Sequence, residues 1–136
     1  TPIHNQPLKR GKEYASYIMD AVTNNNEVTI NGNVMNDGYI DNLPSNCCVE
    51  VPCLINSNGN QPQSTGRLPE QLAALMRTNI NVQILTAQAA LTNKKEHIYH
   101  AAMLDPLTGA NLSIDEIYSM VDNLIEAHKN YLPKYN

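Results

Sequence analysis

Between Pro69 and Thr92 neither a glycine nor a further proline interrupts the chain, and Leu72, Met76, Ile80, Ile84, Ala87 and Leu91 recur at steps of three and four. That spacing predicts one long helix, with Pro69 placed where a helix tolerates proline best, at its first residue. Leu75, Val82 and Leu85 fall on a second face, so the helix is expected to meet water on one side only. A polar line, Asn79, Gln83 and Thr86 at i, i+4 and i+7, runs along this otherwise apolar element. Three shorter helices are expected around it. Glu13 to Asn24 carries Tyr14, Ile18, Ala21 and Val22 on one face, and Lys94 to Leu104 is stopped by Asp105-Pro106. Ser113 to His128 opens on Ser-Ile-Asp-Glu, a capping box in which hydroxyl and carboxylate exchange bonds with each other's backbone N–H.

The stretch from Glu27 to Gln63 has a different texture, with β-branched clusters broken by Asn-Gly, Asp-Gly and Leu-Pro. Short strands are predicted at Val28 to Ile30, Asn33 to Asn36, Cys47 to Asn56 and Asn60 to Thr65. The last two would pair through a type I′ turn centred on Asn58-Gly59, where both central residues need positive φ. Alternation puts Cys47, Val49, Val51 and Cys53 on one face and Cys48, Glu50 and Pro52 on the other. Pro52 lacks a donor and argues for an edge strand or a bulge. The expected fold class is α+β, with about four helices covering one face of a small, mainly antiparallel sheet.

With 136 residues there is room for one domain. Residues 1–12 are polar and aperiodic, carry two prolines and begin without Met, which reads as a linker or cut end, leaving 13–136 as the domain. A formal charge of −4 without basic runs argues against nucleic acid. No apolar run approaches the roughly 20 residues that cross a bilayer, so no membrane is expected and the chain reads as cytoplasmic. Neither G-x-G-x-x-G nor a phosphate-binding P-loop occurs, so a nucleotide cradle, if one is used, lies elsewhere.

Candidate chemistry is sparse. His97 and His100 stand at i, i+3, yet two ligands make no metal site. Cys47, Cys48 and Cys53 do not form a C-x-x-C, and neighbouring strand positions diverge, so free thiols are expected. Asn111-Leu112-Ser113 matches a glycosylation sequon, but Ser113 is already occupied as a helix cap. No nucleophile elbow or acidic pair stands out, so no catalytic, cofactor-binding or metal residue is assigned. The candidates for a polar cleft are Asn36, Gly38 and Asn42 in one loop and Asn79 and Gln83 on the long helix. Short amides can bond sugar hydroxyls, and glycine permits close backbone approach. The competing explanation is a turn pinned by its own amides and a helix stripe that is hydrogen-bonded in the core.

Taken in order, Asn36-Asp-Gly-Tyr-Ile-Asp-Asn-Leu-Pro44, Val49-Glu-Val-Pro-Cys53, LPEQLAALMRTNINVQ (68–83), YHAAMLDPLTGANLSIDEI (99–117) and the closing EAHKNYLP resemble the carboxyl-terminal domain of glycoside hydrolase family 4, and within it the α-galactosidase branch. The resemblance covers nearly everything from Glu13 onward. It implies a domain like that of the lactate and malate dehydrogenase-like glycosidases, in a parent enzyme that uses NAD and Mn²⁺. Such a parent cleaves α-galactosides by elimination and addition, assisted by transient oxidation at C3 of the sugar. It also implies a missing amino-terminal Rossmann-like domain carrying the cofactor turn, the metal ligands and the base, and a homodimer or larger homo-oligomer. None of those motif contexts occurs here, so the roles do not pass to Cys47, His97 or Tyr39. This chain alone is expected to be inert and to bind neither cofactor. A 6-phospho-α-glycosidase or α-glucosidase of the same family is the alternative, and a non-catalytic structural or oligomerisation module is the alternative of another class.

Overall fold

A computed structural model describes residues 11–136. The stretch read as a linker, residues 1–12, lies outside the described residues apart from Gly11 and Lys12, which are exposed and belong to no helix or strand. The elements are α1 (Ala15–Asn24), β1 (Val28–Met35), β2 (Cys48–Asn56), β3 (Gly59–Pro62), α2 (Glu70–Thr92), α3 (Lys95–Leu104), α4 (Pro106–Asn111) and α5 (Ile114–Ala127). The α+β class holds, with one helix more than expected. Asp105-Pro106 does end α3, but it also starts α4: the Asp105 carboxylate accepts the Thr108 N–H and hydroxyl, both at 2.8 Å, and Pro106 stands in the first turn. A stop signal for one helix is the N-cap of the next.

The sheet runs β1-β2-β3, with β2 and β3 antiparallel and Cys53 opposite Pro62. Three local readings change. Asn31-Gly32 does not break the first strand, because β1 runs straight through it. A Cβ on Gly32 would lie 3.0 Å from the Cys53 sulfur, so this glycine provides close approach rather than a turn. The hairpin loop is not type I′: Asn56 pairs with Gly59, neither Ser57 nor Asn58 has positive φ, and Gly59 takes φ +97° where a bulge restores the register. Pro52 stands in the central strand, not at an edge. Its carbonyl accepts the Gln63 N–H at 2.8 Å, one residue past the end of β3, so its missing donor falls where the ladder has already stopped.

The chain divides into two compact units: residues up to Val34 with Val49–Thr65, and Met35–Cys48 with Gly66–Asn136. In the first, Val49, Val51, Cys53 and Ile55 are buried on alternate positions of β2, as the period-2 pattern requires. In the second, α2 packs on α3, and α3 on α4 and α5. Asp122 of α5 takes hydrogen bonds from the Lys95 ammonium at 2.6 Å and from the Tyr99 hydroxyl, while the Tyr99 and Tyr118 rings stack with centroids 4.3 Å apart. Ser113 and Glu116 form the predicted capping box. Asn136 closes the tail on the α2–α3 junction, donating to the Asn93 carbonyl at 2.8 Å and accepting the Lys95 N–H at 3.0 Å. Among the described residues no helix is long and apolar enough to cross a membrane.

Candidate functional site

The loop from Asn36 to Cys47 is built around one side chain. Asn36 is fully buried; its amide N–H groups reach the carbonyls of Ile40, Leu43 and Pro44 at 3.0 to 3.1 Å, and its oxygen accepts the Ile40 N–H at 2.7 Å. An uncapped loop carbonyl in that position would be an unpaired buried acceptor, so this amide replaces the ladder that the loop lacks. Asn42 works the same way at longer range, exchanging both bonds with the Leu68 backbone at 2.9 and 3.0 Å just ahead of α2. Gly38 has φ +90° beside Asp37 at +41°, with no atom within 4 Å of where a Cβ would stand. It serves backbone conformation, not close approach. The hydrogen-bonding capacity of these amides is thus committed to the chain itself.

The stripe on α2 behaves in the opposite way. Asn79 and Gln83 are exposed, and no hydrogen bond holds either side chain among the described residues; Thr86 is exposed too and bonds back to the Val82 carbonyl at 2.8 Å. They are not buried core amides. The expectation of a helix wetted on one side is likewise corrected, since Leu72, Leu75 and Met76 are 47%, 65% and 40% exposed. Only Ala73, Ile80 and Ala89 of α2 are buried. A 23-residue helix with apolar positions on two faces needs more cover than α3 provides.

Loop and helix meet at a groove. A cavity of about 230 Å³ is lined by Asn46, Cys47, Cys48, Gln83 and Ile84, and another of about 380 Å³ by Pro44, Asn46, Arg77, Asn81 and Ile84. Asn46 and Ile84 are shared. Arg77 donates through Nε to the Asn81 amide oxygen at 2.9 Å and has no carboxylate partner among the described residues. Burial pushes the Cys47 thiol above its ordinary value, against a smaller opposing pull from its own backbone hydrogen bond and from the Arg77 charge. Of the predicted cleft residues only Gln83 lines this groove. Asn46, Arg77, Asn81 and Cys48 were not singled out from the sequence; the Arg77–Asn81 spacing of four is a readable signal, whereas the approach of residues 44–48 to the helix is not.

The family 4 glycosyl hydrolase C-terminal domain is matched over residues 3–108. The chain belongs to this family. A family 4 α-galactosidase of Bacillus subtilis is 53% identical over 98% of the chain, and an α-galactosidase of Rhizobium meliloti is 32% identical over 96%. A maltose-6'-phosphate glucosidase of Fusobacterium mortiferum is 34% identical over 89%. The family 4 domain spans only 31%, 26% and 27% of those proteins, respectively. Among solved structures, a 6-phospho-α-glucosidase from gut microorganisms, in complex with NAD and Mn²⁺, superposes with a TM-score of 0.78 at 21% identity, covering 89% of this chain and 27% of that one. The 6-phospho-β-glucosidase of Thermotoga maritima, with NAD and glucose-6-phosphate, gives 0.74 at 21%, covering 90% and 29%. At that identity the likeness establishes the fold.

The residues of this family 4 domain do not make a place for either cofactor. Among the described residues no three His, Cys, Asp or Glu side chains converge as metal ligands. His100 is exposed, while Nδ1 of its i−3 neighbour His97 is buried without a partner. Cys47 and Cys53 are buried, Cys48 is exposed, and none is bridged. Ser113, the residue of the sequon, is held in its capping box.

Proposed function

We propose that this chain is the carboxyl-terminal part of a cytoplasmic NAD- and Mn²⁺-dependent α-galactosidase and that its own task is to form one wall of the sugar cleft. The observation that carries the reading is the 53% identity to an α-galactosidase across nearly the whole chain, against 30 to 34% for the maltose-6'-phosphate glucosidases. The cofactors would be held by the part of the polypeptide outside this chain, so no chemical step is assigned to residues here. What these residues supply is positioning. Asn79 and Gln83 offer unengaged donors and acceptors suited to sugar hydroxyls, and Asn36 and Asn42 act by fixing the loop that faces them across the groove.

The test uses the full-length polypeptide with NAD, Mn²⁺ and reductant. Hydrolysis of p-nitrophenyl α-galactoside is expected, with little turnover of the 6-phospho-α-glucoside and none by the 136-residue chain alone. Preference for the phosphorylated sugar would move the protein to the alternative branch. Turnover by the chain alone would overturn the reading of a wall without machinery.

A further inference from the structure

Plotted at 100° per residue, the outward residues of α2 fall on one line. Leu72, Leu75, Met76, Asn79 and Gln83 follow one another at steps of three, one, three and four, within about 60° of a common direction. All five are exposed, and none is charged. The line is therefore apolar over its first two turns and amide-bearing over the next two. Water-facing helix sides ordinarily carry charge, and an uncharged stripe that turns from leucine and methionine to amides has the composition of a dry seal bordering a polar cleft.

We propose that Leu72, Leu75 and Met76 are the seat on which the larger, preceding part of the same polypeptide packs, closing the cleft along its apolar edge. The inference rests on the reading above for the existence of that part. Its size follows from the relatives, of whose length this domain makes up no more than about a third. A second copy of the chain is the rival occupant. A free partner must offset the loss of translational freedom with roughly 800 Å² per side, whereas a tethered domain starts from an effective concentration in the millimolar range, so three apolar side chains go much further in the tethered case.

The experiment is Leu75→Glu, made both in the 136-residue chain and in the full-length polypeptide, with thermal midpoint and sedimentation as readouts. Leu91→Glu is the control: it is 84% exposed on the same helix but points away from the line. The expected result is a midpoint shift under about 1 °C for both variants in the short chain, and a fall of several degrees for Leu75→Glu but not Leu91→Glu in the long one. An unchanged midpoint for Leu75→Glu in the long polypeptide, or an equal fall for Leu91→Glu, overturns the proposal. So does loss of a dimer by Leu75→Glu in both proteins, which assigns the strip to a second copy. Because the readout is stability, the result is independent of which sugar the enzyme prefers.

Discussion

Two sets of asparagine and glutamine side chains in this molecule look interchangeable in sequence and have opposite fates. In the loop from Asn36 to Cys47, Asn36 and Asn42 spend their amides on backbone groups that no ladder reaches. On α2, Asn79 and Gln83 stand on a backbone already satisfied by its own helix and are exposed. An amide beside irregular backbone is consumed by that backbone, while an amide on a regular helix stays available to a ligand. Availability, not residue type, separates candidate cleft residues from structural ones.

That contrast can be broken most sharply at Asn36. Asn36→Ala leaves four buried backbone groups without partners and is expected to cost about 3 kcal/mol in urea unfolding of the chain, against less than about 0.5 kcal/mol for Asn79→Ala. Equal effects would dissolve the distinction. Asn42→Ala, which removes two bonds to Leu68 from a half-buried site, is expected at about 1.5 kcal/mol. Ser113→Ala measures what a cap within regular structure is worth, about 1 kcal/mol. The Glu116 partner of that cap has its carboxyl held below its ordinary range by the Ser113 bonds, so its contribution is complete at neutral pH and disappears as pH falls through the depressed value.

A smaller effect concerns the thiols at the end of the loop. Cys47 is buried with its pKa raised, so the folded chain keeps the proton that the unfolded chain releases first. Stability is therefore constant below the thiol's ordinary value of 9.0 and declines as pH rises past it. The urea midpoint measured between pH 8 and 10 should fall more steeply for the native chain than for Cys47→Ala. In the same range, Ellman's reagent should react with Cys48 before unfolding, and with Cys47 and Cys53 only after it.

Much of the architecture was legible because it is written locally. Helical period, the Ser113–Glu116 box and the alternation along β2 each involve residues within a few positions of one another. Gly32 and Gly59 were misread for the opposite reason. What Gly32 does depends on Cys53 across the sheet, and which residue of the hairpin takes positive φ depends on the register of Asn56 with Gly59. Asp105-Pro106 carries two meanings, stop and cap, and only the following Thr108 decides between them. In the candidate site the helix half could be listed by spacing, but Asn46 and Cys48 enter it through a loop whose path is set by the buried Asn36. The exposure of Leu72 and Leu75 was beyond reach, since a sequence shows which residues want cover and not whether cover is at hand.

The most direct measurement of the central claim, that the outward amides of α2 serve the sugar cleft while the loop amides serve the fold, is the catalytic efficiency of the Asn79→Ala/Gln83→Ala double variant in the full-length enzyme. Per folded molecule, kcat/KM on p-nitrophenyl α-galactoside is predicted to fall at least tenfold, about 1.4 kcal/mol, with the urea midpoint unchanged. Normal activity accompanied by a lowered midpoint would contradict it.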